Sequence, residues 1–150
     1  MEPVKDWFCA GFFFKKFNEK WYALCVTDIR FQDEVKPPGG GKKKDEHWDD
    51  TLEREFLEET DRKLAVKSFL IVHGELHEEH EKHFYLITEI SGELELDEEI
   101  TIKEPDGKVI RTKFVELEEF SARLYKKGYG RAYRKASIRM RELDPTFPNV

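Results

Sequence analysis

A chain of 150 residues, 39% hydrophobic and 39% charged, has the usual size of one domain. Its 12 Phe, 5 Tyr and 3 Trp can furnish a core, so the charge belongs on the surface and disorder is excluded. A net charge of −6 argues against a protein that coats nucleic acid non-specifically, and no apolar run approaches the ~20 residues of a membrane span.

Met1-Glu2-Pro3-Val4-Lys5-Asp6 lacks the basic-then-apolar order of an export leader. Cys9 and Cys25 are too few for a disulfide framework and show no metal-ligand spacing; each reads as a small buried hydrophobe. A single domain over residues 1–150, soluble and cytoplasmic, is the expectation. Trp7 to Phe17 and Lys20 to Asp28 are rich in aromatic and β-branched types and read as strands joined by a tight turn at Asn18-Glu19. Lys36-Pro37-Pro38-Gly39-Gly40-Gly41 reads as a firm break. From about Asp49 to Glu59 the pattern turns helical, with Trp48, Leu52 and Phe56 four apart and a capping box expected from Asp50 and Glu53. Leu64 to His73 and His83 to Ile90 read as strands around an acidic, His-rich loop. Val109 to Val115 is another strand, reached through the turn Glu104-Pro105-Asp106-Gly107. Glu118 to Lys127 and about Arg131 to Leu143 read as helices interrupted at Gly128 and Gly130. Interleaved strands and helices make the class α/β or α+β.

Charge is unevenly spread. Glu75 to Glu99 holds ten acids and one lysine, whereas Arg123 to Arg141 holds eight basic residues and no acid. The basic segment could meet phosphates, or pair with the acidic half or simply face water.

The chemistry gathers after the glycine turn. Glu55, Glu58 and Glu59 stand at i, i+3 and i+4, so their carboxylates share a narrow arc of one helix face. Like charges about 4 Å apart repel by roughly 4 kcal/mol at an effective dielectric near 20, so tight clustering wants a cation. Oxygen-only clusters suit Mg²⁺ or Mn²⁺, and a carbonyl of the glycine turn could add a ligand. Three glutamates alone could equally be a wet helix face. The spacing separates the two readings. Gly40, five residues, Glu46, seven residues, Arg54-Glu55, apolar Phe56, one residue, then Glu58-Glu59 resembles the Nudix box. That box is the signature of hydrolases acting on nucleoside diphosphates linked to another moiety. Pro38-Gly39-Gly40 resembles the family's usual lead-in. Two positions depart from the pattern. Asp61 stands where the family has the glycine that ends the helix in a left-handed conformation, and Arg62 replaces the apolar residue after it, with Leu64 the nearest substitute.

The resemblance implies an α/β/α sandwich around a mixed sheet. It also implies roles: Glu55, Glu58, Glu59 and the Gly39 carbonyl would hold Mg²⁺ or Mn²⁺, and Glu55 would help deprotonate the attacking water. Arg54 would fix a carboxylate such as Glu46 or Glu58, with Gly40 and Glu46 supporting the site. The implied substrate is a small nucleotide derivative, and a homodimer would be unsurprising. Glu98, Glu99 and Glu104 are candidates for a further acid outside the box.

His73, His77, His80 and His83 recur every three or four residues, yet His77-Glu78-Glu79-His80 is one residue short of the zinc-protease spacing; the reading is a solvated loop that could still touch substrate. Tyr125, Tyr129 and Tyr133 suit a core or base stacking equally. The same holds for Trp7, Phe8, Phe12, Phe14, Trp21 and Trp48. Ala65 to Ile90 carries no marker of substrate identity. Besides the small-nucleotide hydrolase, two readings stand: removal of 5′-pyrophosphate from RNA through the basic segment, and a low-turnover nucleotide-binding module.

Overall fold

Alternation along the first strand organises the molecule, seen in a computed structural model that describes residues 6–64, 68–77, 79–125 and 128–149. In β1 (Asp6–Phe17) the even positions Ala10, Phe12 and Phe14 enter one core, and the odd positions Cys9 and Phe13 enter another on the opposite face. A sheet buried on both faces needs both. β2 (Lys20–Asp28) returns from β1 through Asn18 and Glu19, at φ 50° and 68°, the left-handed pair of a tight hairpin turn. Seven strands form one sheet in the order β4-β5-β1-β2-β7-β6, with β3 (Gly39–Gly41) against β1. β4 (Phe69–His77), β5 (His80–Ile87), β6 (Ile100–Lys103) and β7 (Val109–Glu116) complete it. The β1–β5 pairing is parallel and the others are antiparallel, so the sheet is mixed.

α1 (Trp48–Thr60) lays Leu52 and Phe56 on Phe13, Leu24, Tyr85 and Ile87. α2 (Leu117–Arg123) and α3 (Tyr129–Leu143) cover the other face, where Phe120, Ala132, Tyr133 and Ala136 meet Ala10, Phe12, Phe14 and Phe84. The result is a mixed sheet between helices, an α/β fold. Among the described residues, no helix is long and apolar enough to cross a membrane. Cys9 and Cys25 are buried free thiols, and burial pushes both up to about 12.

Several expectations need correction. The break at Lys36–Gly41 ends in a strand, because glycine lets β3 lie against β1: a Cβ on Gly39 would stand 2.1 Å from the Cys9 carbonyl oxygen. The capping box does not form. α1 starts at Trp48 after His47, which puts Asp50 inside the first turn, where its charge still suits the helix dipole. The His-rich segment is the paired end of a hairpin, with His77 opposite His80 and Gly74 opposite His83. Its polar residues fit the end of an edge strand, where alternate side chains face water. His83 stacks on Trp48 at 3.7 Å and 5°, and buried His73 lies 2.9 Å from Lys135 through Nδ1. β6 was unforeseen, being four residues of mixed polarity. α2 ends at Arg123, and α3 begins at Tyr129 after Gly128 at φ 89°, with Gly130 inside the helix. Expectations touching Met1 to Lys5, Ala65 to Lys67, Glu78, and Lys126 and Lys127 lie outside the described residues.

α1 ends at Asp61, whose φ of 56° is left-handed and whose N–H donates to the Leu57 carbonyl at 2.8 Å. A side chain makes that backbone costly, least so for Asp and most for a β-branched residue. Asp61→Gly is therefore expected to raise stability and Asp61→Val to lower it, each by about 1 kcal/mol. Thermal unfolding checks this as opposite shifts of roughly 2–4 °C.

Candidate active site

The site is assembled where β3 passes the side of α1. A Cβ on Gly40 would stand 2.4 Å from the Glu55 carboxyl carbon, so this turn must be bare for the carboxylate to lie against it. The Gly39 N–H donates to Glu59 Oε1 at 2.7 Å. Gly39 therefore meets the cluster through its amide.

Arg54 ties the neighbourhood together. Its Nε donates to Glu46 Oε2 at 2.7 Å and its Nη2 to Glu46 Oε1 at 3.0 Å, a two-pronged pairing. Nη2 also donates to the Gly41 carbonyl at 2.9 Å, while Nη1 donates to Glu55 Oε1 at 2.8 Å and to Glu58 Oε1 at 3.3 Å. Glu46 accepts two further bonds, from the Thr51 hydroxyl at 2.7 Å and the Lys43 N–H at 3.2 Å. Held chiefly by the Arg54 hydrogen bonds, its carboxyl is drawn down to about 2.

Helical spacing grades the three glutamates by depth. The Glu58 side chain is 55% exposed and that of Glu55 15%, while Glu59 is 7% exposed. Burial pushes the Glu55 carboxyl above its usual range, and Arg54 opposes it. Glu59 is pushed well above, first by burial and then by the charge of Glu55, against the pull of the Gly39 N–H. Two crowded acids whose carboxyls burial pushes upward are a donor set that a hard divalent cation would relieve. All their donor atoms are oxygens, and Gly40 leaves the carboxylates room. By this chemistry the residues fit Mg²⁺ or Mn²⁺. Glu55 and Glu58 face Arg54, and among the described residues no three His, Cys, Asp or Glu side chains close around one metal-sized point.

Glu59 and the three glycines of β3 line a cleft of about 290 Å³. It opens because β1 pairs with β2 only from Phe14 to Phe17, while Phe8 to Ala10 pair with β3 instead. Val26, Ile110, Lys36, Lys108 and Tyr129 also line it. Lys36 and Lys108 belong to no motif, and Tyr129 suits a core or base stacking equally in the sequence; all three reach the cleft through tertiary packing. Of the outlying acids, Glu98 pairs with Arg62 at 3.0 Å and Glu99 with Arg111 at 2.6 Å. Glu104 alone of the three adds its negative charge to the field on both Glu55 and Glu59. Trp7, Trp21 and Trp48 do not line the cleft; Lys42 lies over the Trp7 ring at 4.6 Å.

A model of the NUDIX domain matches residues 10–136. No curated protein sequence matches the chain. Among solved structures, a MutT from work on Aliivibrio salmonicida and Vibrio cholerae is 12% identical with a TM-score of 0.66, over 90% of this chain and 98% of that one. The MutT NUDIX hydrolase of Burkholderia pseudomallei is 19% identical with a TM-score of 0.55, over 79% and 86%. A MutT/nudix protein of Enterococcus faecalis is 14% identical with a TM-score of 0.51; the match covers 73% of this chain and only 52% of that longer one. At these identities the structures speak for the fold. With the domain match spanning most of its length, the chain belongs to the Nudix family, the pyrophosphohydrolases that act on nucleoside diphosphate derivatives.

Proposed function

We propose that residues 1–150 form a single domain that hydrolyses the diphosphate linkage of a small nucleoside diphosphate derivative, with Mg²⁺ or Mn²⁺ as cofactor and in the cytoplasm. The observation that carries this reading is the cluster of Glu55, Glu58 and Glu59 beside the bare glycine turn at the edge of a cleft. In this reading Glu55, Glu58, Glu59 and the Gly39 carbonyl hold the ion. When bound, the ion neutralises the diphosphate and makes its water more acidic.

The chain's own residues do the rest. Glu55, whose burial raises its affinity for a proton, accepts the proton of the attacking water. The water oxygen bonds to one phosphorus as the bridging P–O bond breaks, giving a nucleoside monophosphate and a phosphorylated remainder. Lys36 and Lys108 offset phosphate charge in the cleft. Glu104 is the acid outside the box best supported as an auxiliary, because its field reaches both buried glutamates. Arg54 is structural: it holds Glu46 and the Gly41 carbonyl and so fixes the turn against the helix.

A second reading is removal of 5′-pyrophosphate from RNA. Arg131 and Arg134 are exposed on α3 and make no ion pair among the described residues, which favours it. RNA turnover that falls steeply with ionic strength, at the expense of small nucleotides, would establish this alternative.

The primary test is product release from a panel of nucleoside triphosphates, sugar diphosphates, dinucleoside polyphosphates and 5′-triphosphate RNA, each with Mg²⁺, Mn²⁺ or chelator. Turnover is expected only with metal and is expected to fall by roughly 10²–10³ in Glu58→Gln. No turnover on any member would leave the low-turnover binding module standing.

The Arg54–Glu46 pair gives a stability prediction. Because the folded carboxyl titrates near 2 and an unfolded one near 4.5, the pair's contribution is complete above pH 5 and is lost as pH falls toward 2. Denaturant unfolding across pH 2–7 should therefore show a flatter acid limb in Glu46→Gln than in the native chain. Arg54→Ala, which strands Glu46 half-buried, should lower stability at pH 7 by about 2–3 kcal/mol.

A further inference from the structure

Tyr129 is the least explained polar group of the cleft. It is the first residue of α3, set there by the left-handed Gly128. Only 4% of it is exposed, and its ring is clamped edge-on by Phe8, Phe84 and Tyr125 at centroid distances of 5.9, 5.3 and 5.7 Å. Aromatic contacts of that kind fix a ring in place. The hydroxyl forms no hydrogen bond among the described residues, yet the side chain lines the same cleft as Glu59, Gly39 and Gly40. The ring supplies the packing, so phenylalanine would fill the same aromatic clamp, and the hydroxyl is left to the cleft that the side chain lines. It can therefore meet a group that enters from outside.

We propose that the Tyr129 hydroxyl binds the substrate, donating a hydrogen bond to a phosphate oxygen of a nucleoside diphosphate derivative lying along the glycines of β3. The inference rests on the diphosphate-hydrolase reading above. Phosphate is the favoured acceptor because Lys36 and Lys108 line the cleft with positive charge and the bare glycine backbone of β3 borders it. Glu59 and Tyr129 line the same cleft, and the field of Glu59 reaches the phenol. Burial, and then that field, push the phenol well above its usual value, which keeps it protonated and a donor. An anionic phenolate would repel phosphate; a neutral one binds it.

The test compares the full-length native chain with Tyr129→Phe and with Tyr133→Phe, whose ring packs on Phe12, Phe14 and Phe120 away from the cleft. The probe is α,β-methylene-ADP, which cannot be hydrolysed at the bridge, titrated calorimetrically with Mg²⁺ present. Tyr129→Phe is expected to bind it roughly ten- to a hundredfold more weakly, the loss of one hydrogen bond to a charged acceptor. Its thermal midpoint should stay at or above the native value, and Tyr133→Phe should bind as the native chain does. On a hydrolysed panel member, Tyr129→Phe should show a raised KM. Native-like binding by Tyr129→Phe overturns the inference, as does weak binding accompanied by a lowered midpoint, which would mark the hydroxyl as structural. If the native chain itself neither binds the probe nor turns over any panel member, the hydrolase reading fails, and this inference with it.

Discussion

The guanidinium of Arg54 is the interaction on which the rest of the site depends. It bonds at once to the loop acid Glu46, to the Gly41 carbonyl at the end of β3 and to Glu55 on its own helix. Those three groups belong to three segments that this one side chain joins. Arginine suits the task because its planar fork offers several donors in fixed directions, which a lysine cannot match. Pairing two partly buried charges yields little net stability, since desolvation offsets attraction. What the pairing supplies is position: the turn is held against the helix while Glu55 and Glu59 remain crowded and poorly neutralised. A fully compensated cluster would have no need of a metal.

The cleft follows from a second constraint, the divided pairing of β1. One edge of that strand is occupied by β5 from Asp6 to Phe13, whereas the other is shared between β2, at Phe14 to Phe17, and β3, at Phe8 to Ala10. β2 must therefore diverge from β1, and the gap between them becomes the cavity that Glu59 enters from α1 and Tyr129 enters from α3. Glycine makes this possible twice. Gly39 lets β3 pack on Cys9, and Gly40 lets the same strand face Glu55. Side chains at either place would push strand and helix apart, and the carboxylates would lose the wall they lean on.

Those two constraints also explain what could be read in the sequence. β1, β2, β7 and α1 were legible because their apolar periodicity is enforced by a core on each face, as Phe12 and Phe13 on opposite sides of one strand show. The arc of Glu55, Glu58 and Glu59 was legible because helical spacing is local. β3 was not, since three glycines between prolines and lysines carry no pattern; their strand exists only because β1 offers an edge. The β4–β5 hairpin was misplaced for a related reason. Edge strands tolerate polar residues, so Glu75, Glu79 and His80 masked a strand pair as a loop. Lys36, Lys108 and Tyr129 come from three distant segments, and nothing short of the folded chain brings them to one cleft.

The two departures from the Nudix pattern act together rather than as separate defects. Asp61 takes the left-handed turn, at φ 56°, that glycine would take more freely. Arg62 then uses its length in place of apolar packing. It donates to the Glu93 carbonyl at 3.0 Å and pairs with Glu98, pinning the segment that leads into β6. Leu64 supplies the packing that Arg62 gives up, meeting Ile90 in an isolated bridge and joining the core of Leu52 and Phe56. Arg62 engages Glu98 and Arg111 engages Glu99, so neither side chain can turn toward the glutamate cluster without breaking an ion pair. Glu104, on the turn between β6 and β7, has no ion-pair partner among the described residues, and its field reaches the buried glutamates. The residue that breaks the family pattern at one end of the helix thus narrows the choice of auxiliary acid at the other side of the site.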